Sequence, residues 1–372
     1  MYFTMLSRAA ILLCALGLSA LPANAQTVRI GVLGIFHPKE IILSATRSEA
    51  VQISIAAQSL ILAPNSPGGA ARITLENRTL RVEISGQVFE AKEIYVTSRG
   101  GGPVTVTLAV PGKISRQYRG TLTVQASAAE LTPILTMDLE TAVASAVAAE
   151  SAPNTPQEAL KAQAVVARSY YAAGSGRHQA YDFCDLTHCQ VLREPPAANS
   201  PAAQAVAATS GLVIAYQQKP IATMFTRSCS GRTRTPAEVN MAPGLYPYFA
   251  VLCDICHTNP VRWTRHLSTE DAAIAAKGES GRLAVDRRLG WNAVPSNNFT
   301  SHPKNGSVRL EGTGQGHGIG LCQRGASAMA QSGATFREIL AHYFPNTSLT
   351  AISQVSGNSG SSTSASLTSL GH

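Results

Sequence analysis

The chain has 372 residues, of which 45% are hydrophobic, 14% are charged and 6% are aromatic. This is the composition of a globular protein, and it excludes a disordered, collagen-like or coiled-coil chain. The formal net charge of +8 is spread thinly, without a block of Lys or Arg, so a nucleic-acid partner is not expected. Beyond the N-terminus, no apolar run reaches the roughly 18 residues that a membrane-spanning helix needs.

Residues 1–25 predict a cleaved secretory signal peptide. Arg8 precedes an apolar segment over residues 9–21, and residues 23–25 read Ala-Asn-Ala, the small-x-small pattern that signal peptidase recognises. We therefore expect a mature chain that begins at Gln26, does not span a membrane, and is secreted to the periplasm or cell envelope.

Residues 26–130 predict a β-rich part. Apolar and polar residues alternate in RTLRVEI, EIYVTS, VTVTLAV and GTLTVQA, as they do in half-buried strands. Residues 131–352 mix helical and strand patterns, and residues 353–372 form a Ser/Thr/Gly-rich tail that we expect to be disordered. The predicted fold class is α+β, with the β-rich N-terminal part packed on a mixed α/β core.

Two helices are predicted at the start of that core. The first runs over Leu139–Glu150 with Asp138 as its N-cap. The second follows Thr155 as N-cap, with Glu158 completing a capping box, and ends at Gly174. Further along, residues 268–278 predict a helix behind a serine cap, SVRLEG predicts a strand, and the Thr-x-x-Glu at 335–338 predicts a last helix. Residues 281–305 give no clear pattern.

Four metal-binding side chains lie close together in one segment: His178, Cys184, His188 and Cys189. Two thiolates and two imidazoles make a complete tetrahedral Zn²⁺ set, and a set without an open position is structural rather than catalytic. We therefore predict a zinc-bound loop. The spacing is not a standard finger pattern, so a Cys184–Cys189 disulfide with bystander histidines is an equal alternative.

Glu150 ends the first predicted helix on the same face as Leu139, Val143 and Val147. The negative end of the helix dipole and the loss of solvation both disfavour a carboxylate there, so the pKa of Glu150 is expected to be raised, as a general acid requires. From the residues alone, however, we favour a carboxylate that turns to water or pairs with Lys161 or Arg168.

A Gly-rich loop follows over residues 312–325. It lacks a nucleotide-binding pattern, and its glycines predict positive φ values or a close approach of the backbone. Four further cysteines are compatible with one disulfide and a spare pair, with two disulfides or with a second metal site: Cys229, Cys253, Cys256 and Cys322. In an exported chain we favour disulfides.

Several blocks, in order, resemble the SpoIID/LytB family of stage II sporulation protein D and amidase enhancer proteins. The segments that carry the resemblance are QYRGTLTV, LTMDLETAVASAVAAESAPNTPQEALKAQAVVARSYYAAG, YDFCDLTHCQVL, SGLVIAYQQKPIATMFTRSCSGRT and GTGQGHGIGLCQRGASAMAQSGATFREILAHYFPNTSL. The chain departs from the family pattern at Ser151-Ala152-Pro153, where Met-Pro is common, and at Cys229 and Cys322, where serines are common.

The resemblance implies a lytic transglycosylase that cleaves the bond between N-acetylmuramic acid and N-acetylglucosamine in denuded peptidoglycan strands to give 1,6-anhydro products. It assigns Glu150 as the catalytic acid and base and a structural zinc to His178, Cys184, His188 and Cys189. Candidate groove residues are Lys161, Gln163, Arg168, His317 and Gln323. The alternatives are a non-catalytic enhancer of a cell-wall amidase or a glycan-binding module, and a secreted hydrolase in which zinc is the catalyst.

Overall fold

The computed structural model describes residues 26–47, 49–64, 69–174, 178–187 and 189–355. The predicted signal peptide, His188 and all but the first three residues of the predicted tail lie outside these ranges. The described part has both helices and strands, with the strands concentrated in the first half, so the predicted α+β class is confirmed.

A curled, largely antiparallel sheet of twelve strands fills the N-terminal part. Its strands are β1 Thr27–Gly31, β2 Glu40–Ala45, β3 Val51–Ile55, β4 Gln58–Leu62, β5 Ala70–Glu76, β6 Thr79–Ile84, β7 Gln87–Ala91, β8 Glu93–Thr97, β9 Val104–Val110, β10 Ile114–Ala126, β11 Leu131–Asp138 and β12 Phe183–Cys184. The four strand segments predicted within residues 26–130 all lie in this sheet. The strand β12 is parallel to β1, with Cys184 opposite Gly31.

The long strand β10 makes the sheet curl. Its first half pairs with β9, and its second half pairs with β8 and β11. The bend is near Gly120, where a Cβ atom would lie only 2.5 Å from the carbonyl oxygen of Thr136. Because one strand serves two sets of neighbours, the sheet folds over a single apolar core.

Three helices pack against the sheet and each other: α1 Leu139–Glu150, α2 Gln157–Ala173 and α3 Pro201–Ala208. The predicted bounds of α1 are confirmed, and Oδ1 of Asp138 accepts a hydrogen bond from the amide of Thr141 at 3.1 Å. The helix turns its apolar side chains into the sheet core, and Glu150 is left at its C-terminal end.

The predicted capping box of α2 is wrong. The helix begins after Pro156, and the hydroxyl of Thr155 donates to the carbonyl of Ala152. Glu158 instead pairs with Lys161 and accepts a hydrogen bond from the amide of Phe336 at 2.7 Å. Its carboxylate therefore joins α2 to a distant helix rather than capping its own.

The remaining elements form two further apolar clusters, one under α2 and one under a separate three-stranded sheet. They are β13 Leu212–Tyr216, β14 Lys219–Pro220, β15 Phe225–Thr226, α4 Asp254–Thr258, β16 Arg262–Ser268, α5 Thr269–Ala275, α6 Glu279–Leu289, β17 Phe299–Lys304, β18 Ser307–Thr313, β19 Leu321–Cys322, α7 Gln323–Gln331, α8 Phe336–Tyr343 and β20 Ser348–Ala351. The capping box before α8 and the serine cap before α5 are confirmed. The span without a clear pattern contains most of α6 and all of β17. The first residues of the predicted tail lie in a 3-10 turn at Ile352–Gln354.

Within the described residues, no helix combines the length and the hydropathy that crossing a membrane requires.

Candidate functional site

Glu150 is hydrogen-bonded through both its side-chain carboxyl group and its backbone carbonyl group. Its side-chain Oε1 accepts a hydrogen bond from the amide of Val191 at 3.0 Å. Its backbone carbonyl accepts from Nε2 of Gln323 at 3.0 Å and from Nη1 of Arg227 at 3.4 Å. Three segments distant in sequence therefore meet at the last residue of α1.

The environment favours the protonated carboxyl group. Burial raises the pKa of Glu150 above its ordinary value, although the Val191 amide and the positive charges of Arg227 and Arg193 oppose that shift. A carboxyl group that keeps its proton to higher pH and is already oriented by a backbone amide can act as a general acid. Neither Lys161 nor Arg168 pairs with Glu150, because each is bound to another carboxylate.

A cavity of about 280 Å³ lies beside the end of α1. Its lining includes Ser151, Thr155, Gln163, Arg227 and Gln323. Gln163 is only 3% exposed, and its Oε1 is a buried acceptor without a hydrogen-bond partner among the described residues. Such an acceptor costs free energy unless a ligand donates to it. The structure thus brings Gln163 and Gln323, two of the five predicted groove residues, to the cavity beside Glu150.

The other three predicted groove residues are engaged elsewhere. Lys161 makes an ion pair with Glu158 at 2.6 Å. Arg168 is fully buried and binds Glu140 through Nε at 2.8 Å and Nη2 at 2.6 Å, so the structure corrects its assignment from substrate groove to interior ion pair. His317 accepts a hydrogen bond at Nδ1 from the amide of Ile319, and burial lowers its pKa, so it is a neutral brace within its own loop.

The Gly-rich loop has the backbone that its sequence predicts. Gly314, Gly316, Gly318 and Gly320 all have positive φ. At Gly320 a Cβ atom would clash with the carbonyl oxygen of Met224. The loop therefore lies directly against the segment that carries Arg227, and this contact places Arg227 next to Gln323.

Sequence reasoning missed Arg227 and Val191. Arg227 is 77 positions from Glu150 and Val191 is 41 positions away. Although both lie in segments that carry the family resemblance, nothing in those segments points to this role. A backbone amide leaves no signal in a side-chain pattern, so only the fold reveals it.

The Cys/His segment brings together three of its four predicted ligands. The donor atoms of His178, Cys184 and Cys189 all lie within 4.8 Å of one another, and Nε2 of His178 is 3.6 Å from Sγ of Cys189. His188 lies outside the described residues. Cys184 and Cys189 contact each other as thiols rather than as a disulfide. Imidazole and thiolate ligands at these separations suit a tetrahedral Zn²⁺ ion.

The four cysteines expected to form disulfides are not bridged. Cys229, Cys253, Cys256 and Cys322 are buried thiols whose sulfur atoms all lie within 4.8 Å of one another. The structure thus replaces two expected covalent pairs with one four-sulfur cluster that is able to hold a metal ion.

Comparison with known proteins supports the resemblance seen in the sequence. Residues 127–216, which include Glu150 and the Cys/His segment, match the family model described as SpoIID, stage II sporulation protein. An uncharacterized protein of Brachyspira hyodysenteriae is 31% identical over 242 residues, which cover 56% of this chain and 65% of that protein. The Amidase enhancer of Bacillus subtilis is 36% identical over 63 residues, which cover 17% of this chain and 9% of that protein. The chain thus spans less than two thirds of the length of both relatives.

Proposed function

We propose that the chain, as a member of the SpoIID/LytB-type family, acts on the cell wall as a peptidoglycan lytic transglycosylase. The observation that supports this function most strongly is Glu150. It is a partly buried carboxyl group with a raised pKa, oriented by a backbone amide, and the next residue in the chain, Ser151, lines a cavity. Removing a carboxyl group even partly from water costs free energy, and glycan binding alone does not require that cost.

The proposed reaction uses one carboxyl group twice. Glu150 first donates its proton to the glycosidic oxygen as the bond from that oxygen to C1 of N-acetylmuramic acid breaks and an oxocarbenium-like state develops. The resulting carboxylate then accepts the proton of the 6-hydroxyl group as O6 bonds to C1. The products are one fragment that ends in 1,6-anhydro-N-acetylmuramic acid and one that begins with N-acetylglucosamine carrying the released hydroxyl group, and no water is consumed. A second carboxylate, as hydrolases use, is not required.

Neighbouring residues support this role in different ways. Gln163 offers its unpartnered Oε1 to a hydroxyl or amide hydrogen of the sugar. Gln323 and Arg227 bind the carbonyl oxygen of Glu150 and so fix the end of α1. They are positioning residues, since they hold the backbone and not the reacting atoms.

His178, Cys184 and Cys189, with His188 from the resemblance, would hold a structural Zn²⁺ ion. Bound there, the ion would supply rigidity and no reaction step, because a Cys₂His₂ set leaves no open position. The loop it fixes continues directly to Val191, whose amide orients the Glu150 carboxyl group. On this proposal residues 131–352 form the catalytic core, residues 26–130 its β-rich support, and residues 1–25 direct export to the cell envelope.

A second candidate function has one observation behind it: one of the similar proteins is named Amidase enhancer. In this alternative the chain binds glycan as the partner of a cell-wall amidase and does not cleave it. The two functions differ in whether glycan bonds are broken by the chain alone.

The test is mass spectrometry of products after purified protein is incubated with denuded glycan strands. We expect 1,6-anhydro products from the wild type and none from Glu150→Gln, which keeps the shape but cannot donate the proton. Glu90→Gln makes the same change on the exposed surface of β7 and should retain full activity. Wild-type protein that binds the strands without cleaving them would overturn the transglycosylase proposal and favour the enhancer.

A further inference from the structure

A four-sulfur cluster adjoins the cavity, since Ser228 and Gln323, which line it, are the sequence neighbours of two of the cysteines. Cys229 follows β15, Cys253 and Cys256 flank the start of α4, and Cys322 ends β19. All four side chains are buried, and the sulfur atoms of Cys256 and Cys322 are 3.6 Å apart. Three separate stretches of chain therefore bring four thiols to one point.

The separations match a metal site better than a pair of disulfides. Four sulfurs at about 2.3 Å from a central ion lie roughly 3.8 Å from one another along the edges of a tetrahedron, close to the observed 3.6 Å. A disulfide requires about 2.05 Å. All six pairs fall within 4.8 Å, so one ion can reach all four sulfur atoms. We propose that Cys229, Cys253, Cys256 and Cys322 bind one Zn²⁺ ion as a second, all-thiolate metal site.

The surroundings of the sulfurs suit charged ligands. The amide of Gly325 donates to Sγ of Cys322 at 3.4 Å, and the hydroxyl of Tyr343 donates to Sγ of Cys253 at 3.5 Å. Such donors spread the negative charge that four thiolates leave around a divalent ion. Gly325 is also sterically required, because a Cβ atom there would lie 2.6 Å from Sγ of Cys253.

The ligand pattern indicates a structural ion. Cys253 and Cys256 have the Cys-x-x-Cys spacing of structural zinc sites, and four protein ligands leave no coordination position open. The sulfurs converge too closely to enclose a multi-iron cluster, so a single ion is the natural occupant.

The site would fix the cavity wall that holds Glu150. Cys229 is two residues after Arg227, and Cys322 immediately precedes Gln323, and these two neighbours bind the Glu150 carbonyl oxygen. The strands β15 and β19 are themselves paired, with Thr226 opposite Cys322. An ion that binds both segments would therefore hold both donors in place, opposite the Cys/His segment that holds the carboxyl group.

Zinc content measured on the purified full chain tests this proposal. Cys256→Ser should lower bound zinc by one ion per chain. Cys184→Ser, its matched control in the other segment, should remove a different ion and leave the Cys256 site loaded. Hydrogen exchange should show faster exchange in peptides covering residues 224–232 and 320–326 for Cys256→Ser, but not for Cys184→Ser. Because each variant reports on one site, failure of the Cys/His zinc is distinguishable from failure of this one.

The wild type supplies a test that needs no variant. Alkylation of the unfolded, unreduced chain should modify all four cysteines, and mass spectrometry should find no disulfide among them. Two disulfides among these residues would overturn the proposal, as would a zinc content that Cys256→Ser leaves unchanged.

Discussion

Replacing Arg168 tests whether this residue belongs to an interior ion pair or contacts the substrate. In the structure the Arg168 guanidinium makes two hydrogen bonds to Glu140 and also donates to the carbonyl oxygens of Leu212 and Val206. The Arg168 side chain is 0% exposed and that of Glu140 is 32% exposed. Arg168→Ala should therefore destabilise the fold without a direct effect on glycan binding.

The expected loss of stability follows from the groups that Arg168→Ala leaves without a partner. Breaking a buried pair costs about 3–5 kcal/mol, because the remaining charge is unpaired. Water can reach part of Glu140, which lowers this cost, but two carbonyl oxygens also lose a donor. We expect the free energy of unfolding of Arg168→Ala to fall by about 3 kcal/mol.

Urea denaturation and glycan binding measured on the same preparations test this expectation. Lys161→Ala removes a partly exposed partner of Glu158 and should cost under about 1 kcal/mol, which makes it the matched control. An Arg168→Ala protein of wild-type stability that had lost glycan binding would refute the structural assignment and return Arg168 to the substrate groove.

Three further predictions concern the cavity and the sulfur cluster. Because burial raises the pKa of Glu150 in the folded state, the folded chain binds the extra proton and stability falls as pH rises from the ordinary glutamate value through the raised one. Glu150→Gln should therefore be at least as stable as the wild type, with a gap that widens over that pH interval in urea titrations; a constant gap would contradict the raised pKa. Gln163→Leu removes an unpartnered acceptor, so thermal unfolding should show no loss of stability while calorimetry shows about tenfold weaker glycan binding, the value of one hydrogen bond; unchanged affinity would remove Gln163 from the site. Gly325→Ala adds a methyl group against Tyr343 and should cost about 1–3 kcal/mol and lower zinc occupancy, whereas the exposed Gly244→Ala, which meets nothing within 4 Å, should do neither.

Local signals in the sequence predict much of the fold. The bounds of α1, the serine cap before α5 and the capping box before α8 are confirmed, because each depends on residues within four positions of one another. The alternating strands before residue 130 are found for the same reason.

Long-range contacts explain the predictions that fail. Glu158 has the right spacing for a capping box, but it binds the amide of Phe336, 178 positions away. Arg168 is expected in the substrate groove, but in the folded chain it forms an ion pair with Glu140. The sequence favours disulfides for the four cysteines of the sulfur cluster, and only the folded chain brings all of their sulfur atoms to one point.

For the candidate site, the family resemblance provides the role of Glu150, and the structure provides the contacts that hold it. The resemblance assigns Glu150 a role, while a solvated carboxylate is the plainer interpretation of the residue alone. The structure adds the causes: the Val191 amide on the carboxyl group, and Gln323 and Arg227 on the carbonyl oxygen. None of these contacts can be predicted from spacing, because each joins elements that meet only in the tertiary fold.

The central claim is that Glu150 catalyses glycan cleavage in which water is not a reactant. The most direct test is the wild-type reaction carried out in ¹⁸O-labelled water, with Glu150→Gln in parallel. Direct closure of O6 onto C1 predicts 1,6-anhydro ends that carry no ¹⁸O from the wild type, and no new ends from the variant. New reducing ends that contain ¹⁸O, or equal cleavage by both proteins, would contradict the proposed role of Glu150.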